Sequence, residues 1–309
     1  MMGWLLQFLV YMACAILTNG FETPWTFTCD NAAGLCRKEQ AGDDSPLVSQ
    51  AVCSLTCSNS SVLWPLPSQY NLGSTVATFH PELVTVESNA GQELAGRIEQ
   101  SVWRMRDLLI MRGENIPTDN LASLAINVEI SSEVSVPSVG MDESYSLNVS
   151  KTEDVIVNIK ADTYFGARHA IETLFQLMEW DSYNSAYVVL DNVQIQDEPF
   201  YPHRGLSLDT ARNFIPVSKL KEVIDSLSYS KLNVFHWHIT DTQSFPLALD
   251  SQPDFVKFGS FGSSMVYTKE DVADLISYAS DRGVVIIPEL DAPAHVGAGW
   301  EAVDDAMTV

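Results

Sequence analysis

Apolar positions recur with two different periods along this chain. Leu94, Ile98, Val102, Met105 and Leu109 return every three or four residues, which predicts an amphipathic helix ending at Gly113. Leu124, Ile126, Val128 and Ile130 then alternate with Ala125, Asn127 and Glu129, and Val155, Val157 and Ile159 alternate with Ile156 and Asn158. That period of two predicts strands with one better-buried face. A second helix is expected over residues 164–180 and a last strand over residues 187–195. Residues 66–198 therefore read as an α+β domain with helices packed on one face of a sheet.

Pro199 and Pro202 bracket the entry to a different pattern. After Arg204 come a short apolar strand, a helix carrying Leu220, Val223, Ile224 and Leu227, and a second strand. A helix opened by Thr268 as N-cap, with Asp271 in its first turn and Gly283 past its end, leads to a third strand ended by Pro288. Strands alternating with helices imply right-handed parallel crossovers. A doubly wound sheet and a (β/α)8 barrel both begin this way. Polar residues gather where the strands end, at Asp209, Asp241 and Asp291 to His295, which is where barrels build their sites. No Gly-rich phosphate loop follows the first strand. The expected fold class is α/β plus α+β: the start of a (β/α)8 TIM barrel over residues 199–309, about three of eight strands, preceded by the sheet domain.

The first 17 residues form an apolar run shorter than the roughly 20 needed to span a bilayer, and small residues follow at Thr18 and Gly20. Residues 1–20 are read as a cleaved secretory signal, with an uncleaved anchor as the alternative and no other membrane span expected. Cys14 leaves with the signal. Cys29, Cys36, Cys53 and Cys57 remain in the segment 21–65, an even number that in the secretory pathway reads as two disulfides among three pairings. The nested pairing, Cys29 with Cys57 and Cys36 with Cys53, is the expectation. A zinc site is the rival, and the segment lacks both a paired C-x2-C spacing and a histidine. Asn59-Ser-Ser and Asn148-Val-Ser match glycosylation acceptors, expected on exposed loops.

Among 309 residues, 17 Lys and Arg against 40 Asp and Glu give a net charge of −23. Such a surface repels phosphate backbones and anionic headgroups, so nucleic acid is excluded as a partner; a neutral ligand fits the charge, and so does a charge that only aids solubility.

Asp241 and His295 each follow a different strand, and an aspartate can orient and charge-stabilise an imidazole that tunes a third group. An Asp after a strand that merely caps the next turn is the plainer alternative. Arg204 can donate several directed hydrogen bonds to a bound ligand, or can form a structural ion pair with Asp209 or Asp291. Asp291 is a candidate orienter of Arg204 or His295, and Glu289 and Asp209 read as structural. His236 and His238 face one side of a strand, so a barrel metal site activating water is a competing class. Asp241 joins them only if a bulge intervenes, because it lies on the opposite parity.

Arg204-Gly-Leu-Ser-Leu-Asp, His236-Trp-His-Ile-Thr-Asp and Asp291-Ala-Pro-Ala-His, in that order, resemble three landmarks of the family 20 glycoside hydrolases, the β-N-acetylhexosaminidases. Residues 161–176 are similar to that family's non-catalytic amino-terminal domain. The resemblance implies retaining hydrolysis of terminal N-acetylglucosamine or N-acetylgalactosamine, with the substrate's own acetamido oxygen as nucleophile and no cofactor. It gives Arg204 the role of holding the terminal sugar, and Asp241 with His295 that of a relay to the catalytic acid. The Cys segment, the signal and Asp-Ala-Pro-Ala-His-Val-Gly look most like secreted arthropod members, acting on chitooligosaccharides or glycoprotein glycans in the secretory pathway or lysosome. A homodimer of the longer protein is compatible with this.

The family's acid pair is an adjacent Asp-Glu after the fourth barrel strand. This chain has Asp-Glu only at Asp142-Glu143 and Asp197-Glu198, both before the first barrel strand, while Asp304-Asp305 follows His295 too closely for another helix and strand. The expectation is an inactive fragment of a longer hexosaminidase, with a secreted non-hydrolytic sugar-binding protein as the alternative.

Overall fold

The computed structural model describes residues 25–42, 46–57, 62–112 and 122–303. The expected signal, Asn59, Gly113 and Asp304-Asp305 lie outside them. The amino-terminal segment is a hairpin of β1 (Trp25–Asp30) and β2 (Leu35–Gln40) followed by α1 (Gln50–Cys57). Disulfides Cys29–Cys57 and Cys36–Cys53 tie the hairpin to α1 in the nested pairing.

The sheet domain takes its shape from alternation. In β6 (Leu124–Ile130) and β8 (Val155–Ala161) every second side chain is buried, and β7 (Tyr145–Lys151) follows the same rule from Tyr145 to Val149. With β3 (Gln69–Asn71), β5 (Val84–Ser88) and β11 (Val193–Asp197) they form a six-stranded mixed sheet in the order β3-β11-β7-β8-β6-β5. A second sheet, β4-β10-β9, joins β4 (Val76–Phe79), β9 (Met178–Asp181) and β10 (Ala186–Leu190). Helices α2 (Gln92–Arg112) and α3 (Tyr164–Gln176) bury Leu94, Ile98, Val102, Phe165, Ile171 and Leu174 in the same core.

Three expectations are corrected here. The second helix stops at Gln176, because residues 178–181 pair with β10 as a strand. The run 187–195 is two strands in different sheets, separated by Asn192 at φ +57. Asn148 lies inside β7, paired with Gln194 and Asn158, and not on a loop; its side chain is exposed on the sheet's outer face.

Beyond Arg204, β12 (Gly205–Asp209), α4 (Val217–Tyr229), β13 (Val234–Thr240), α5 (Pro253–Gly259), α6 (Lys269–Ser280) and β14 (Val285–Leu290) follow in order. The three strands are parallel and adjacent, β12-β13-β14. Thr268 accepts from Asp271 N–H and Asp271 accepts from Thr268 N–H, the capping box that starts α6. Leu220, Ile224 and Leu227 of α4 and Leu275 and Ala279 of α6 cover Phe235, Trp237 and Ile239 of β13. Pro288 does not end the third strand: it pairs with Trp237, and β14 runs on to Leu290. Among the described residues β14 has a partner on one side only, where a missing N–H is tolerated. No described helix is long and apolar enough to cross a membrane.

Buried cations weld the sheet domain to these strands. Arg168 Nε donates to Arg282 O at 2.9 Å and a terminal nitrogen to Ser228 O at 2.8 Å. Tyr164 Oη donates to Asp281 O at 2.7 Å, and Arg97 pairs with Asp281 at 3.1 Å.

Candidate active site

Asp241 stands one residue past β13, where the strand loses regular register. Pairing with β14 shifts between His238 and Thr240, so the bulge that a shared site required is present. It turns Asp241 to the side of His238: Oδ2 lies 2.9 Å from His238 Nε2, 2.7 Å from an Arg212 terminal nitrogen and 3.3 Å from His295 Nδ1. Oδ1 accepts from Thr242 N–H at 2.5 Å. Burial raises the pKa of this carboxyl, but His238, Thr242, Arg212 and His295 together hold it below the ordinary value. Asp241 is therefore a fixed anion gathering four donors.

His295 reaches this point from the loop after β14, with φ +50, the left-handed region that side chains other than glycine's rarely adopt. Its Nε2 is 3.6 Å from Asp291 Oδ2, so Asp291 stands beside His295 and away from Arg204. On the other side of His238, Nδ1 is 3.0 Å from Glu289 Oε2, and the same oxygen is 2.8 Å from His236 Nε2. Glu289 is held below its ordinary pKa, chiefly by the His238 bond.

Arg204 is elsewhere. It precedes β12, at the end of the strand opposite Asp209, and turns into the seam with the sheet domain. One terminal nitrogen pairs with Glu143 Oε1 at 2.8 Å, Nε donates to Lys231 O at 2.9 Å and the other terminal nitrogen to Tyr201 O at 2.8 Å. Glu143, 2% exposed, also meets His169 Nε2 at 2.9 Å and Asn233 Nδ2 at 3.2 Å. The structural alternative for Arg204 is the one observed, with Glu143 as partner in place of Asp209 or Asp291, because each strand end faces a different neighbour.

The arginine at the strand-end face is Arg212. It bonds Asp209 Oδ2 at 2.8 Å as well as Asp241, and Asp209 Oδ1 receives the N–H of Ala211 and Arg212. The signal that could have found it is positional: an arginine three residues past the carboxyl end of the first strand.

Asp209, His238 and Asp241, or His238, Glu289 and Asp291, crowd closely enough to suggest a metal site, and His236 shares Glu289 with His238. Their N–O separations of 2.8 to 3.0 Å are hydrogen-bond lengths. Two ligands on tetrahedral zinc, each at roughly 2.0–2.1 Å, stand about 3.3 Å apart. The donor set fits protons shared between imidazole and carboxylate better than an ion.

The chain matches the family described as "Glycosyl hydrolase family 20, catalytic domain" over residues 201–309. It matches "beta-acetyl hexosaminidase like" over residues 63–177. It is 34% identical to the chitooligosaccharidolytic beta-N-acetylglucosaminidase of Bombyx mori, over 99% of this chain and 53% of that protein. With the protein of the same description from Ostrinia furnacalis it shares 35% identity, over 92% of this chain and 49% of that protein. Among solved structures it is similar to the chitobiase of Flavobacterium johnsoniae, with TM-score 0.63 and 30% identity over 76% of this chain and 35% of that one. The chain thus spans about half the length of the curated relatives it matches. Matches on both sides of the seam, and relatives that agree along nearly all of its length, place this chain in glycosyl hydrolase family 20.

Proposed function

We propose that β12, β13 and β14 are the first three strands of a (β/α)8 barrel, and that their carboxyl ends carry part of the site of a secreted β-N-acetylhexosaminidase. The observation that carries this is the 3.3 Å approach of His295 Nδ1 to Asp241 Oδ2 across two strand ends. With its proton on Nδ1, facing Asp241, the imidazole presents Nε2 to a group beyond it, and the Asp241 charge stabilises the imidazolium when that nitrogen takes a proton. The group beyond it is a carboxylic acid that protonates the leaving oxygen, while the substrate's acetamido oxygen closes on the anomeric carbon and water later opens the intermediate with retention. Arg212, 47% exposed at its side chain, has donors left after Asp209 and Asp241 to bond vicinal hydroxyls of the terminal sugar. The relatives' names support chitooligosaccharides as substrate.

Neither Asp-Glu dipeptide supplies the acid. Glu143 is locked in the seam under Arg204, and Asp197 sits beside the Lys231 ammonium at 3.4 Å. Residues 1–309 alone are proposed to be inactive. That separation of acids from the strand-end face also favours the second reading, a sugar-binding protein without turnover. Sequencing the transcript through the codon for Val309 tests the choice. An in-frame extension encoding Asp-Glu sustains the hydrolase, and a stop codon there favours the binding protein. Measurable turnover of a chromogenic N-acetylglucosaminide by the purified 309-residue chain, beside an active hexosaminidase control, would refute the proposed inactivity.

A further inference from the structure

We infer that His238 is a positioning residue: an imidazolium held between two carboxylates, which fixes the Asp241 side chain that His295 approaches. The relay proposed above needs only Asp241 and His295; what holds Asp241 in place is a separate question. Both ring nitrogens of His238 face carboxylate oxygens, Nε2 at 2.9 Å from Asp241 and Nδ1 at 3.0 Å from Glu289. A neutral imidazole has one N–H and one lone pair. In either tautomer one of these contacts would press a lone pair against a carboxylate oxygen. With both nitrogens protonated, both contacts become charge-assisted hydrogen bonds.

The surroundings support the charged form. Around His238 stand Asp209 at the end of β12, His236 from β13 and Asp241 just past it, Glu289 from β14, and Asp291, His295 and Arg212 from the loops. Four of these are acids and one is a permanent cation. Burial lowers the His238 pKa, but the bonds to Asp241 and Glu289 outweigh it and leave the pKa raised.

Backbone geometry gives the bond its purpose. Residues three apart on a regular strand point to opposite faces, and Asp241 faces His238 only through the irregularity between His238 and Thr240. The His238–Asp241 bond spans that irregularity and sets Oδ2 where Arg212 and His295 also reach it. Glu289, shared with His236, anchors the far side of the ring to the next strand.

The inference rests on the sugar-site reading for its consequence but not for its test. Long-range nitrogen–proton NMR on the 309-residue protein, with His238 assigned by its disappearance in His238→Gln, reads the protonation of both ring nitrogens directly. At neutral pH both are expected protonated, and Glu289→Gln should lower the protonation midpoint of His238 without unfolding the chain. In His238→Gln the His295 Nδ1 proton, which faces Asp241 Oδ2 at 3.3 Å, should exchange with water at least about tenfold faster, as expected when Asp241 loses a charge-assisted bond worth at least one tenfold step. A neutral single tautomer at pH 7, with a midpoint that Glu289→Gln leaves unmoved, would overturn the inference. Unchanged His295 exchange in a folded His238→Gln would overturn the positioning role. Titration with N-acetylglucosamine separates the two claims. If the sugar leaves the Arg212 and His295 signals unmoved while His238 is doubly protonated, the sugar-site reading fails and the inference stands.

Discussion

Arg204 and Arg212 lie at opposite ends of one strand, β12, and answer to different partners. Arg204 spends its guanidinium on Glu143 and two carbonyls in the seam between domains. Arg212 bridges Asp209 and Asp241 at the face where His295 arrives. Eight positions of sequence separate an arginine held in the seam from one half exposed at the strand-end face.

The two arginines should fail differently. Arg204→Ala leaves Glu143 buried without its cation, and uncompensated buried charge costs roughly 3–5 kcal/mol. His169 and Asn233 still donate to Glu143, so the lower end, about 3 kcal/mol, is expected in urea denaturation. Arg212→Ala should change stability by no more than about 1 kcal/mol, since its side chain is half exposed. It should weaken N-acetylglucosamine binding by about tenfold or more, the loss of one charged hydrogen bond. A stable Arg204→Ala protein that has lost sugar binding would reverse these roles.

Acid should loosen the same seam. Burial, opposed by the bond to Glu143, pushes the His169 pKa from 6.5 down to about 4. Between those values the unfolded chain binds more protons than the folded one, so stability is full above about pH 6.5 and falls as the pH drops toward 4. The complete loss is on the order of 3 kcal/mol. Glu143, buried but held below its ordinary pKa by His169 and Arg204, contributes stability above its unfolded value that is lost as pH falls through its folded one. In His169→Gln, which keeps a donor toward Glu143, denaturation midpoints measured across this range should vary less with pH. An unchanged slope would mean that His169 is not the neutral buried base described here.

Much of the fold was legible because it is periodic. The buried alternation of β6 and β8, the α2 stripe and the Thr268 capping box each follow from spacing alone. Strand ends were less legible: nothing in the local sequence distinguishes Met178–Asp181 from one more turn of α3, and its pairing with β10 decides the matter. Asp241 and His295 were readable as strand-end polar residues whose contact depends on a bulge and a left-handed residue, neither visible in composition. Arg204 precedes the first strand in the sequence, at the end opposite Asp209, so its distance from the strand-end face was readable there, but the motif likeness outweighed the position.

The amino-terminal hairpin should depend on its cross-links. Cys29–Cys57 closes a separation of 28 residues and Cys36–Cys53 one of 17 inside it. In the chain-entropy account each is worth about 3 kcal/mol when alone, and less than double together, because the outer bond already shortens the inner loop. Replacing all four cysteines by serine should expose residues 25–57 to proteolysis while the strands beyond Arg204 stay protected in hydrogen exchange. Simultaneous loss of protection in β13 would show that the hairpin supports the whole chain.

Two helical glycines should respond to alanine with opposite signs. At Gly166 an added Cβ would lie 2.3 Å from the Ser144 carbonyl oxygen and 3.2 Å from Ala161 Cβ. The first obstacle is backbone, so α3 would have to lift from the sheet and from the Glu143 segment that reaches the seam. Overpacking of this kind costs roughly 1–3 kcal/mol. At Gly96, inside α2, an added Cβ meets nothing within 4 Å. There the replacement only restricts the unfolded backbone and favours helix, a gain of roughly 0.5–1 kcal/mol. Denaturation of the two single variants under one set of conditions gives both signs. Stabilisation by Gly166→Ala would mean that α3 can move away from Ser144 at no cost, and the tight seating of α3 over the seam would have to be abandoned.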